Sequence, residues 1–323
     1  MSSFVPAFGR WEDQESVERF FSTQAEPFMS GAAASVLSLE DDNKDVDLCE
    51  IYEVTTGKKW NSLNQNPRGF CVGFGNGKMV SLAIAMMAHA GEITWPGADV
   101  AIEPIYGGSR FEVGYQTYRS NIPFGGDGSV GAWAVEWLIK WGVLLKRPYT
   151  VGGATIDFTN YDLSRCDSYG GRGVPDALEP IAKEKPIQQA ALATDAEQCW
   201  KLIGQLHPLV HCSNQGFAMN RNSDGISRAQ GSWAHCAGWS GRFTLANGTR
   251  VLRYDNSWEG QADGSGYLGT PIVIQGKNGP IHLNGNQFLV PLEVVDNMCR
   301  RGKETYGLTG PLGFTKRRKL FLA

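Results

Sequence analysis

The sequence predicts an α+β protein, and three observations carry that prediction. The first half holds strongly apolar runs with helical spacing, Cys71 to Ala90 and Val130 to Trp141. The second half breaks into short β-prone runs separated by Gly and Asn turns. Forty glycines scattered without a period through 323 residues ask for many tight turns and exclude a fibrous repeat. At 42% hydrophobic residues, the chain can bury the core of one large domain or of two closely packed subdomains.

Taken in order, residues 1–45 are mixed and polar and end in the acidic run Glu40-Asp41-Asp42. They read as an N-terminal arm with one short helix from Glu12 to Phe21, suited to docking a partner or to a propeptide-like role. Residues 46–150 form a helical subdomain. Cys71 to Ala90 is a Gly-rich helix entry followed by an apolar helix. In Val130 to Trp141 the apolar residues recur at i, i+3, i+4 and i+7, and Gly142 supplies a C-terminal stop. Residues 151–323 form a β-rich subdomain with runs at Thr150–Phe158, Pro208–Phe217, Trp233–Phe243, Thr249–Tyr254 and Ile272–Leu283. Between them, Ile187 to Leu206 reads as a further helix.

Charge and motif content exclude several function classes. Thirty basic against 33 acidic residues leave no basic stripe for nucleic acid. The N-terminus carries charges where a signal peptide needs an apolar run, and no stretch of about 18 apolar residues spans a membrane. A cytoplasmic or virion-associated location is expected. Seven cysteines without paired spacing then read as reduced thiols. The glycines of residues 73–78 do not make a phosphate loop, because Val72 takes the first glycine position and Met79 the final hydroxyl position. His207 and His211 are spaced i, i+4, but Pro208 lies between them and no metal-binding motif accompanies them. No metal or cofactor is expected.

One thiol stands apart. Cys71 opens a helix, where unpaired N–H groups and the helix dipole favour a thiolate. Such a nucleophile needs an imidazole as base and a group that holds the ring. Of the five histidines, His89 lies too far along the same helix, and His207 and His211 lack an orienting partner. His282, with Asn284 close behind, is a weaker competitor. His235 begins a β-prone run and is followed 21 residues later by Asn256, on a segment able to pair as the next strand. Trp258 can cover the bond between them. Taken singly, Cys71 reads as a core thiol and His235 as a satisfied strand histidine; their joint spacing favours a site.

These residues resemble, in the correct order, the motifs of the papain-like cysteine peptidases. Asn64-Gln65 followed by Gly69 and Cys71 resembles the family's nucleophile segment, with the required six-residue interval from Gln65 to Cys71. Asp127-Gly128-Ser129 is similar to its substrate-binding strand. His235 with Ala237 and Gly238 resembles the histidine strand, and Asn256-Ser257-Trp258 with Gly266-Tyr267 resembles the asparagine segment. The resemblance covers roughly residues 50–310, with insertions around Glu92–Glu103 and Thr159–Lys185.

It implies a helical left subdomain and a β-sheet or barrel right subdomain with the active-site cleft between them. It further implies that Gln65 and the Cys71 N–H bind an oxyanion. Val72, Arg68, Ser129 and Glu259 depart from the family pattern and mark a divergent branch of phage or bacterial type. The expected activity is cleavage of peptide or isopeptide bonds in a peptide or protein substrate. The alternatives are a structural or virion-associated module whose site is idle or serves only in assembly, and a hydrolase of peptidoglycan cross-links.

Overall fold

The computed structural model describes residues 8–24, 44–118 and 126–316. The acidic run Glu40–Asp42 lies outside them. Ahead of the first helix, α1 (Gln14–Gln24), the carboxylate of Asp13 accepts from the Ser16 N–H at 3.1 Å. Val17 and Phe20 are buried on its inner face.

A two-residue strand β1 (Val46–Asp47) leads into α2 (Leu48–Thr56), which Asp47 caps through the N–H groups of Cys49 and Glu50. The central element is α3 (Cys71–His89). Apolar on nearly every side, it is long and apolar enough to cross a bilayer, yet it lies buried inside the protein. Helices with no polar face belong in the middle of a core.

After α3 come α4 (Ile102–Gly108), a π-helical continuation Ser109–Thr117, and α5 (Gly131–Lys140). Past α5, Gly142 adopts φ +84° and its N–H returns to the Trp137 carbonyl at 3.1 Å, ending the helix. A small hairpin, β2 (Pro148–Val151) and β3 (Ala154–Asp157), is followed by α6 (Leu163–Arg172) and α7 (Glu179–Ala182).

The remaining elements include an antiparallel sheet built around β6 and a separate hairpin. They are β4 (Ile187–Leu192), α8 (Ala196–Gly204), β5 (Leu209–Phe217), β6 (Ala229–Thr244), β7 (Arg250–Asp255), the hairpin β8 (Ile272–Gln275) and β9 (Pro280–Leu283), β10 (Gln287–Pro291), α9 (Leu292–Gly302) and β11 (Glu304–Pro311). The strand order is β10-β7-β6-β5-β11-β4, with β1 added against β6. Helix α3 packs on β5, β6 and β11, so its first turn faces the strand that carries His235.

Two sequence expectations change here. Ile187–Leu206 is not one helix. Ile187–Leu192 pairs with β11, and the helix begins only after Asp195, whose carboxylate caps the Gln198 N–H at 2.8 Å. Helical structure also runs through Ile102–Thr117, a stretch of the helical subdomain for which the sequence marked no individual helix. Gly107, Gly108 and Gly114 lower helix propensity there. They are needed because a Cβ at each would overlap Tyr169, Trp137 or Trp133.

Candidate active site

Cys71 is the first residue of α3, and the N-cap Phe70 offers no side-chain cap. The helix start therefore keeps its N–H dipoles beside the thiol. Across from it, His235 stands on β6 opposite Ser213 of β5, at the point where the register of the two strands begins to shift. Asn256 follows the last residue of β7, and His235 Nε2 lies 2.7 Å from Asn256 Oδ1.

The same oxygen accepts the Ser257 backbone N–H at 2.7 Å, which identifies it as the amide oxygen. An acceptor there requires the proton on Nε2, so Nδ1 carries the lone pair. Among the described residues Nδ1 has no hydrogen-bond partner. Trp258 lies against the ring with centroids 4.6 Å apart, and Trp233 and Tyr267 pack behind that indole.

Gln65 is fully buried. Its Nε2 donates to the Arg68 carbonyl at 2.7 Å and its Oε1 accepts from Ser257 Oγ at 2.9 Å, so the amide is oriented from both ends. Asp127 turns its carboxylate onto the Gly69 N–H at 2.7 Å, tying the opposite cleft wall to the nucleophile loop. Gly128 adopts φ +119° and its N–H donates to Tyr106 Oη at 2.9 Å. Ser129 presents its backbone to the cleft and its hydroxyl to Ser109 at 2.9 Å. Glu259 sits at φ +48°, in the left-handed region where glycine is at home.

Three features were not legible in the sequence. Lys78, on the second turn of α3, forms a buried ion pair with Asp255 and donates to the Asn256 carbonyl at 2.7 Å. Trp60 Nε1 and Gln287 Nε2 complete the shell around Asp255 at 2.6 and 2.8 Å. Burial works to raise the Asp255 carboxyl, but Lys78 and these donors outweigh it and hold it below the usual carboxylate range. Ser257, second, bridges Gln65 to the asparagine segment.

The third is the chain's own N-terminal segment. Residues 8–11 cross the cleft from one wall to the other. The Gly9 and Arg10 N–H groups donate to the Ala234 carbonyl at 3.2 and 3.0 Å. Ser129 donates to the Gly9 carbonyl at 2.9 Å and accepts from Trp11 at 2.8 Å, a parallel bridge centred on Arg10. Phe8 covers Trp258 and His235 edge-on, at 5.8 and 6.4 Å.

Under this cover Cys71 is 0% exposed and shares no hydrogen bond with His235; its sulfur faces the backbone N–H groups of Cys236, Gly9 and Val72. Burial pushes the thiol up to about 12 against those dipoles, and pushes the His235 ring down to about 4 despite the bond to Asn256. Both groups are therefore neutral and the site is shut.

The ring values carry a stability consequence. His211 is also buried, held by Thr305 at 2.7 Å, and burial lowers it to about 3. Unfolded, both rings take a proton near 6.5, so between about pH 6.5 and 4 the unfolded chain binds protons that the folded chain refuses. The stability that these two rings contribute is fully present above pH 6.5 and falls as the pH drops. Melting curves of the parent and of His211→Asn, taken from pH 7.5 to 4.0, should differ in slope, the parent losing more stability as the pH drops; parallel curves would contradict a buried neutral His211.

Among known structures, this architecture is the papain-like α+β fold. It is similar to xylellain, a cysteine protease from Xylella fastidiosa, at 13% identity and a TM-score of 0.53, over 94% of this chain and 96% of that one. It is also similar to a procathepsin B of Trypanosoma congolense, at 12% identity and a TM-score of 0.52, over 94% and 86%. A digestive procathepsin L of Tenebrio molitor matches at 12% identity and a TM-score of 0.53, over 94% and 84%. At these identities the likeness establishes the fold. No protein-family model matches the sequence, and no curated protein matches it.

Proposed function

We propose that this chain is a cysteine hydrolase of peptide or isopeptide bonds, held latent by its own N-terminal segment. The observation that carries the reading is the Asn256-fixed His235 ring with a free Nδ1 lone pair, next in chain to Cys236, whose N–H faces the sulfur of a helix-start cysteine covered by residues 8–11.

Once the cover lifts, the Cys71 proton passes to Nδ1 and the thiolate attacks the substrate carbonyl. A C–S bond forms, and charge collects on the oxygen near Gln65 and the Cys71 N–H. The C–N bond then breaks as the His235 proton goes to the departing amine. Water attacks the thioester, gives its proton to Nδ1, and releases the acid and the Cys71 thiol. Ser129, which pairs with the arm in the closed state, offers the same backbone groups to a substrate strand.

A second reading, a papain-fold module whose site stays idle, is supported by the missing thiol–imidazole hydrogen bond. One experiment separates the two. Full-length chain loosened by Gly9→Ala should hydrolyse a mixed peptide pool, and adding Cys71→Ala should abolish turnover by at least about a thousandfold while leaving the melting temperature near that of the parent. Cleavage that survives Cys71→Ala, or a complete lack of cleavage with Cys71 no more reactive than the other cysteines, would favour the idle module.

A further inference from the structure

The arm does more than cover the thiol, because it places a charged side chain in a prepared pocket. Arg10 leaves the cleft at its bridge with Ser129 and runs inward, and its side chain is only 4% exposed. Its Nε and Nη2 reach Glu304 Oε2 at 2.9 and 2.8 Å, and its Nη1 reaches Asn214 Oδ1 at 2.9 Å and Glu12 Oε1 at 3.0 Å. Glu304 is the first residue of β11 and is fully buried.

Among the described residues, the protein body binds only one side of that carboxylate. Oε1 accepts the Ala132 N–H at 3.0 Å and Tyr306 Oη at 3.1 Å. Oε2 has Arg10 as its partner. Gly131 leaves the room required, since a Cβ there would press on Cys212 Sγ and Glu304 Oε1 at 2.6 and 2.8 Å.

A buried carboxylate oxygen whose partner belongs to a displaceable segment poses a physical question. When the arm leaves, Oε2 is left desolvated and uncompensated, a costly state. A planar guanidinium restores the pairing better than an ammonium, because it presents several donors in a fixed fork.

We propose that Glu304 and Asn214 form a specificity pocket for arginine, and that the substrates of this site carry an arginine beside the residue at the scissile bond. The proposal rests on the hydrolase reading for the word substrate, and on the arm's geometry for the pocket. Gly9 faces the Cys71 sulfur and Arg10 is its neighbour. A peptide paired with Ser129 therefore places one side chain where Arg10 stands.

The test separates binding from turnover. Full-length chain carrying Gly9→Ala and Arg10→Ala frees the pocket of its resident cation; the same chain with Cys71→Ala binds peptides without cutting them. Fluorescent peptides with arginine, citrulline, lysine or leucine at each position flanking the scissile residue are compared by anisotropy and by cleavage rate.

Arginine should exceed its uncharged near-isostere citrulline by about tenfold to a hundredfold at one flanking position, the range for a hydrogen bond to a charged group. Lysine should fall between them, and Glu304→Gln should bring arginine and citrulline level. Equal binding of arginine and citrulline at every position would overturn the pocket whether or not the peptides are cut. Selective arginine binding with no cleavage would uphold the pocket and reject the hydrolase reading instead. Should Glu304→Gln fail to fold, the arginine–citrulline comparison in the parent chain still decides.

Discussion

Methionine in place of Lys78 should cost this protein about 3–5 kcal/mol, because it removes the cation of a buried pair and leaves the Asp255 carboxylate alone in the core. Lys78 and Asp255 are 2% and 1% exposed, so water cannot take over the solvation. For a chain of this size the loss corresponds to a drop of about 5–10 °C in melting temperature. Changing both partners, Lys78→Met with Asp255→Leu, should recover much of the stability, since two apolar side chains leave no orphaned charge.

The double variant should nevertheless stay catalytically poor. Lys78 Nζ also donates to the Asn256 carbonyl at 2.7 Å, and that contact positions the residue on which the His235 ring depends. Stability regained together with full activity would show that the ion pair serves the fold alone. A single variant that melts like the parent would show that Asp255 is not an uncompensated charge at all.

Gly9→Ala should produce the largest change in reactivity. A methyl group there would overlap the Gly69 carbonyl, and backbone on both sides leaves no room to yield. Expelling the arm exposes Cys71 and removes the burial that holds its thiol near 12. If the thiol returns to the ordinary value of about 8.5, the thiolate fraction at pH 8 rises by about a thousandfold. Iodoacetamide labelling followed by mass spectrometry reads this directly. Cys71 should gain most of that factor, while Cys49, Cys166 and Cys199, buried elsewhere, should not change. A rate equal to that of the parent would mean that the arm is not what shuts the site.

Much of the fold could be read from sequence because its signals are local. The apolar run of α3, the helical spacing of α5 and the turn-bounded strands each announce themselves within a dozen residues. The His235–Asn256 pair was legible for a related reason, since adjacent strands with a short connection keep a fixed offset. Ile187–Leu192 was misread because an alanine-rich stretch has no strand signature of its own, and only pairing with β11 makes it a strand.

Lys78 and Asp255 were invisible for a different cause. A lysine in an apolar helix looks like a break in the pattern until its partner, 177 residues later, is known. The arm posed the same difficulty. Residues 8–11 carry no motif, and their role follows entirely from Ser129, Ala234 and Glu304, which no local pattern connects to them.

The bond between Arg10 and Glu304 joins residues 294 positions apart. The strand that holds the arginine is synthesised 294 residues after the arginine itself. The arm therefore cannot lock while the chain is growing, and its anchor arrives only when β11 adds to the edge of β5. Completion of the sheet and closure of the cleft become one event. A chain cut before Glu304 lacks both β11 and the anchor of the arm, so one contact ties closure of the cleft to formation of the sheet.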